Sequence, residues 1–258
     1  MSDDGRMHVP GSEVADAPAP PESSPHFHRR VTSFRARRST ISDNQQAIWD
    51  RLWPSLGAQA RDGDRPAGLL DTDAWFGRHA PVVLEIGCGT GTSTLAMAQA
   101  EPDIDVVAVE VYRRGLAQLL AAIDRTSTTP DPVTNIRLIR GDGVDVLTHM
   151  FPTASLTGVR VFFPDPWPKA RHHKRRLLQP EVVGLIADRL KPGGLLHTAT
   201  DHAGYAEHIA EVGDNEPRLR RISTDTAGLP ISVARPVTKY ERKALAGPVV
   251  AELLWERT

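Results

Sequence analysis

From Pro81 onward, short apolar runs alternate with stretches of helical periodicity, as strands and helices do when they follow one another in turn. Val82-Val83-Leu84-Glu85-Ile86 predicts a first strand, Gly87-Cys88-Gly89-Thr90-Gly91 a turn, and Ser93 to Ala100 a helix. Val106 to Glu110 predicts a second strand and Arg113 to Asp124 a second helix. A third strand spans Ile136 to Arg140, and Gly141-Asp142-Gly143 leads into a helix ending near Met150. Gly158 to Phe163 reads as a fourth strand, Pro180 to Leu190 as a helix stopped by Pro192-Gly193-Gly194, and Leu195 to Thr200 as a fifth strand running into Asp201. Ala203 to about Val212 is helical, and Leu219 to Ser223 and Val249 to Trp255 are late strands, expected as an antiparallel pair at the sheet edge. Upstream, Ala47, Ile48, Leu52 and Trp53 line one face of a helix over Gln45 to Leu56, with Ser42 or Asp43 as its cap. The fold class is α/β, a doubly wound, mostly parallel sheet. Such sheets bind ligands beyond the carboxyl ends of their strands, where the strand order reverses.

Composition divides the chain further. Residues 1–25 are rich in Pro, Ser, Ala and acid and are expected to be a disordered tail. Residues 26–78 are expected to hold a basic arm and the N-terminal helix, and residues 79–258 the main domain. The arm, His26 to Arg38, interleaves five arginines with two phenylalanines, as an RNA-binding segment does and as a solvated linker also can. The formal net charge of −1 gives no global attraction to nucleic acid, so a basic surface must be local. Cys88 is the single cysteine, which excludes an intrachain disulfide and a multi-cysteine metal site. No apolar run approaches the ~20 residues of a membrane span. The acidic, polar start lacks the apolar core of a signal peptide, and a cytoplasmic protein is expected.

Carboxylates sit at the strand ends. Glu85 lies beside the glycine turn, Glu110 ends the second strand, and Asp142, Asp165 and Asp201 follow the third, fourth and fifth. Parallel strands would bring all five to one rim. A glycine turn lets a nucleotide approach the backbone, and an acid ending the second strand accepts ribose hydroxyls. That much fits NAD and S-adenosylmethionine alike. The spacing Gly87-x-Gly89-x-Gly91 puts Thr92 where the dinucleotide fingerprint has its third glycine, and an acidic rim suits a cationic sulfonium and ammonium better than a pyrophosphate. Cys88 reads as a small packing residue of the turn.

The fifteen residues from Phe162 to Arg176 join an acid, an indole and a basic run. Proline fixes its own φ and restrains the residue before it, so Pro164-Asp165-Pro166 is a stiff turn that aims one carboxylate. Trp167 is placed to stack on a base or to serve as core. His172 and His173 are adjacent and point apart, which argues against a metal.

Phe162-Phe163-Pro164-Asp165-Pro166-Trp167-x-Lys169-x-Arg171-His172-x-Lys174-Arg175-Arg176 resembles the signature of the tRNA (guanine-N7-)-methyltransferases. Leu84-Glu85-Ile86-Gly87-x-Gly89, Ala199-Thr200-Asp201, Tyr205-Ala206-Glu207-His208 and Arg235-Pro236-Val237-Thr238-Lys239-Tyr240-Glu241 are similar to the family's other blocks, in the same order, over roughly Phe34 to Trp255. The resemblance implies a class I, Rossmann-like, S-adenosylmethionine-dependent fold that methylates N7 of the guanine at position 46 of the tRNA variable loop. It implies that Glu85, Gly87, Gly89, Glu110, Asp142 and Asp165 contact the cofactor and that Asp165 is the catalytic position. Lys169, Asp201, Thr238, Lys239, Tyr240 and Glu241 would bind substrate, and Arg171, His172, His173, Lys174, Arg175 and Arg176 would face the RNA. Tyr240 stands where Phe is frequent, and Pro168 where a polar residue is common. The resemblance implies tRNA as the partner; no metal and no membrane are expected, and the protein is expected as a monomer or homodimer.

Guanine N7 has a free lone pair and no proton, so methylation there needs no general base. Asp165 is accordingly read as a positioning and electrostatic residue. A methyltransferase of another RNA or of protein, an RNA-binding module without catalysis, and an NAD-dependent dehydrogenase are the competing readings. The intact set of rim acids opposes the second of these, and the glycine spacing opposes the third.

Overall fold

The structure, a computed structural model, describes residues 40–236 and 249–258. The expected tail, the basic arm and Thr238, Lys239, Tyr240 and Glu241 lie outside the described residues.

The first helix, α1 (Asp43–Leu56), opens on a capping box. Ser42 Oγ accepts from the Gln45 N–H at 3.3 Å, and Gln45 Oε1 accepts from the Ser42 N–H at 3.1 Å, so orphan donors at the helix start are satisfied reciprocally. There follow β1 (Gly57–Gln59), the short pair β2 (Arg61–Asp62) and β3 (Arg65–Pro66), and α2 (Thr72–Phe76). Then β4 (Val82–Ile86), α3 (Thr92–Ala100), β5 (Asp105–Glu110), α4 (Arg113–Thr126), β6 (Ile136–Arg140) and α5 (Gly143–His149) alternate as expected. The chain returns through β7 (Leu156–Phe162), a 3₁₀ turn (Ala170–Arg175), α6 (Pro180–Arg189), β8 (Leu190–Thr200), α7 (Ala203–Asn215), β9 (Leu219–Ile222) and β10 (Ala251–Arg257).

The main sheet has eight strands in the order β1-β6-β5-β4-β7-β8-β10-β9. β10 runs antiparallel to both β8 and β9, and the remaining pairings are parallel. The order reverses between β4 and β7. The parallel strands therefore deliver the ends of β4, β5, β6, β7 and β8 to one edge.

β4 and β5 are buried along their whole length, as strands covered on both faces must be. On one face α5, α6 and α7 pack Val146, Leu147, Val183, Ile186 and Ile209 over Leu84, Val107 and Val161. On the other, α1 and α4 pack Trp49, Leu116, Leu119 and Leu120 over Val106, Ala108 and Leu138. The rest of that second face, toward β8 and β10, is covered by Leu229, Ile231 and Val233 of a strap without regular structure.

The structure adds elements that periodicity does not predict. β1 joins the sheet beside β6, with Gly57 opposite Leu138, and the Trp75 indole donates to the Ser55 carbonyl at 3.2 Å. The segment grouped with the arm by composition thus contributes an edge strand. β8 begins at Leu190, through the Pro192-Gly193-Gly194 stop, because Leu190 pairs with Leu156 and the extra residues form a bulge before Leu195 meets Gly158.

Candidate active site

The glycine turn is pinned where β4 ends. Gly87 and Cys88 donate their N–H groups to the Val109 carbonyl at 2.9 and 3.0 Å. Gly89 has φ 57°, a left-handed conformation that costs glycine little. α4 approaches so closely that a Cβ on Gly115 would overlap the Gly89 carbonyl oxygen. Cys88 is buried, and burial together with the Glu85 and Glu110 carboxylates raises its thiol well above the ordinary value. It is a packing residue, not a nucleophile.

Glu85 is 3 % exposed and Glu110 is 9 % exposed. Glu110 folds back on the turn: one oxygen accepts from the Gly89 N–H at 3.0 Å, the other from the N–H groups of Val111 and Tyr112 at 2.7 and 3.0 Å. Burial raises its pKa, the three N–H groups pull it back, and the neighbouring charge of Asp165 raises it again. Burial likewise raises Glu85, against the opposing charge of Arg160 and the Thr94 hydroxyl beside the carboxyl group, both of which lower it. Glu85 Oε2 is buried and has no hydrogen-bond partner, and an orphaned carboxylate oxygen at a sheet edge fits the cationic group of a ligand. Asp142 caps α5, accepting from the Val144 N–H at 2.8 Å.

Asp165 is exposed and stands on a turn flanked by two left-handed residues, Phe163 at φ 49° and Trp167 at φ 45°. The Phe163 N–H is fixed to the Ala199 carbonyl at 2.7 Å. Asp201 lies one strand over, directly after β8 and two residues before α7. The 3₁₀ turn then lays out Lys169, Arg171, Lys174 and Arg175 as exposed cations, with His172 and His173 half-buried. Desolvation and the charges of Arg175, Arg171 and Lys169 hold His172 below the ordinary imidazole value. Trp167 is half-buried, edge-on to His172 at 5.8 Å and under the Arg175 guanidinium at 5.2 Å.

Arg176 departs from the expectation that it faces RNA. It is 2 % exposed and turned inward, donating to the carbonyls of Pro166 at 3.0 Å and Gly204 at 3.1 Å, with its guanidinium 4.8 Å over the Tyr205 ring. Its neighbours in the basic run project to solvent, whereas Arg176 clamps the Asp165 turn to α7. Arg160 went unnoticed in sequence because it interrupts an otherwise apolar strand; a lone cation in such a strand is the signal that a buried acid must oppose it.

Glu85, Glu110, Asp142, Asp165 and Asp201 are thus gathered on one edge of the sheet at its switch point, beside the basic turn. Among the described residues, no group of three or more His, Cys, Asp or Glu side chains is placed to hold a metal ion, and no helix is long and apolar enough to cross a membrane.

A parallel sheet with a glycine turn and strand-end acids at its switch point, and with one antiparallel strand near the far edge, is the architecture of a class I methyltransferase. Residues 79–249 match the model of the family described as "Putative methyltransferase". A relative from Mycolicibacterium gilvum, named tRNA (guanine-N(7)-)-methyltransferase, is 82% identical over 100% of both chains. Relatives of the same name from Mycolicibacterium vanbaalenii and Mycobacterium tuberculosis are 77% and 61% identical, covering 100% and 98% of this chain and 99% and 94% of theirs. Among solved structures, the 16S rRNA methyltransferase KamB is 17% identical over 76% of this chain and 97% of its own, with a TM-score of 0.47. The chain belongs to the tRNA (guanine-N(7)-)-methyltransferase family.

Proposed function

We propose that the protein methylates N7 of the guanine at position 46 in the tRNA variable loop, with S-adenosylmethionine as methyl donor. The observation that carries this reading is the place of Asp165, on a rigid turn at the switch point, between the acidic rim and an exposed basic turn. The names of the relatives support tRNA as substrate.

Glu85, Glu110 and Asp142, with the backbone of Gly87 and Gly89, hold the cofactor, and the orphaned Glu85 oxygen and the close approach allowed by the glycine turn fit it. When bound, S-adenosylmethionine supplies an electrophilic methyl group. The protein's own work is then alignment and charge. N7 carries its lone pair without a proton, so no side chain must remove one. Asp165 and Asp201 accept from the guanine N1 and N2 donors, orient the base, and stabilise the positive charge that spreads into its ring. Alignment of a bound nucleophile recovers much of the barrier of an in-line displacement. Lys169, Thr238, Lys239, Tyr240 and Glu241 complete the base site. Arg171, Lys174 and Arg175 meet phosphate, with His172 and His173 beside them. This chemistry belongs in the cytoplasm, with a monomer or homodimer as the working unit.

The test is transfer of labelled methyl from S-adenosylmethionine to unmodified tRNA, mapped by borohydride and aniline cleavage at N7-methylguanine. A single cut in the variable loop is expected. A cut elsewhere, or label without a cut, would reject the assignment of position or atom.

A further inference from the structure

The sheet face that bears Glu85 carries a row of buried polar side chains that the transfer chemistry leaves unassigned. Register pairs run Glu85 to Arg160 and Arg160 to His197, across β4, β7 and β8, so the three side chains share one face. Arg160 is 0 % exposed. Its Nη2 donates to Glu101 Oε2 at 2.6 Å and to the Ser232 carbonyl at 3.0 Å, and the Ser232 N–H closes the ring on Glu101 Oε1 at 2.6 Å. Nε and Nη1 of Arg160 are buried without hydrogen-bond partners, and so is Glu85 Oε2 on the adjoining strand. A buried guanidinium is tolerated only where acids oppose it, and this one lies between two: Glu101 at the end of α3, and Glu85 in the cofactor site.

Ser232 belongs to the strap. Ile231 is buried against Gly158, where a Cβ would overlap the Ile231 side chain. Arg235 pairs with Glu252 of β10 at 2.9 Å and lies over the rings of Phe162 and Phe163 at 5.8 and 5.0 Å. Through Arg235 the strap thus braces Phe162 and Phe163, the residues that lead into the Asp165 turn. Arg160 therefore touches the strap that braces that turn and neighbours Glu85, assigned above to the cofactor.

We propose that Arg160 is a positioning residue that couples the two halves of the site, holding the strap through Ser232 and Glu101 while balancing the charge of Glu85. This rests on the reading that Glu85 meets the cationic end of the cofactor. Around Glu85, Arg160 faces it from β7, Thr94 from α3 and Cys88 from the turn, while the register partner on β5 is the apolar Ala108. Arg160 is thus the charge that opposes its burial.

The experiment compares the full-length protein with Arg160→Met, Arg160→Lys and Glu85→Gln, each checked for native near-ultraviolet dichroism. S-adenosylhomocysteine affinity is measured by calorimetry against pH, and affinity for unmodified tRNA by filter binding. Arg160→Met is expected to move the pH of half-maximal S-adenosylhomocysteine affinity upward by about one unit and to weaken tRNA binding about tenfold. Arg160→Lys keeps the charge, but its shorter side chain ends short of the Nη2 position that donates to both Glu101 and the Ser232 carbonyl, so it should hold the wild-type pH profile yet still weaken tRNA binding. A wild-type pH profile and wild-type tRNA affinity in Arg160→Met would overturn the coupling. If Arg160→Met does not fold, Arg160→Lys decides alone, and unchanged tRNA affinity in it would overturn the proposal. Wild-type S-adenosylhomocysteine affinity in Glu85→Gln would instead remove the cofactor reading on which the proposal stands.

Discussion

Arg176 Nε donates to the Pro166 carbonyl oxygen at 3.0 Å, so the last arginine of the basic run holds the turn that presents Asp165. Arg175, one residue earlier, is exposed over Trp167. Adjacent arginines are therefore expected to behave differently. Arg176→Met strands the Pro166 and Gly204 carbonyls and should cost about 1–3 kcal/mol of stability, lowering kcat with the salt dependence of tRNA affinity unchanged. Arg175→Ala should leave stability alone and reduce the slope of log affinity against log salt by about 1. Denaturant titration and tRNA binding over a salt series separate the two.

The role proposed for Asp165 is charge and orientation, not proton transfer. Asp165→Ala is expected to lower the single-turnover rate about 10²–10³-fold, with cofactor affinity changed less than the rate. Asp165→Asn keeps the acceptor oxygen and loses the charge, and should fall between wild type and Asp165→Ala. An Asn variant as slow as the Ala variant would assign the whole effect to charge.

Burial is the largest cause of the raised pKa at both Glu85 and Glu110. The folded protein thus holds these two protons more tightly than the unfolded chain does. Their ionisation costs stability as pH climbs from the ordinary carboxylate range through the raised values. The ligand's ammonium and its ribose hydroxyls, as donors to these carboxylates, favour the ionised forms. The melting-temperature gain given by S-adenosylhomocysteine should therefore grow with pH through that window and fade below it. Melting curves with and without the ligand, from about pH 5 to about pH 8, follow the linkage. A gain constant across that range would take both carboxylates out of contact with the ligand.

Gly115 keeps room for the glycine turn. A methyl group there meets the Gly89 carbonyl, so the turn proposed to receive the cofactor must shift. Gly115→Ala is expected to weaken S-adenosylhomocysteine about tenfold or more, measured by calorimetry, while the fold persists. Unchanged affinity would mean that the turn yields without affecting the site.

The alternation of strands and helices from β4 to α7 was legible because each element carries its own period, and the acids were legible because they stand where apolar runs stop. β1 was not legible: three residues, Gly57 to Gln59, have no period, and they become a strand only because β6 offers a free edge. The inward turn of Arg176 was hidden for a different reason. A run of cations reads as one surface, whereas the 3₁₀ turn ends at Arg175 and the next side chain leaves in another direction. Arg160 and Glu101 are 59 residues apart, and only the folded sheet makes them a pair. The expected base-site residues from Thr238 to Glu241 lie outside the described residues.

Phe163 and Trp167 both have positive φ, a conformation that costs about 1–3 kcal/mol for such a residue. The sheet and the Arg176 clamp supply what holds it. A synthetic peptide spanning Phe162 to Arg176 would therefore relax to ordinary backbone angles and bind RNA by charge alone. The signature is portable as sequence, but its geometry is not, and grafting those fifteen residues onto another protein would transfer the cations without the aim of the carboxylate.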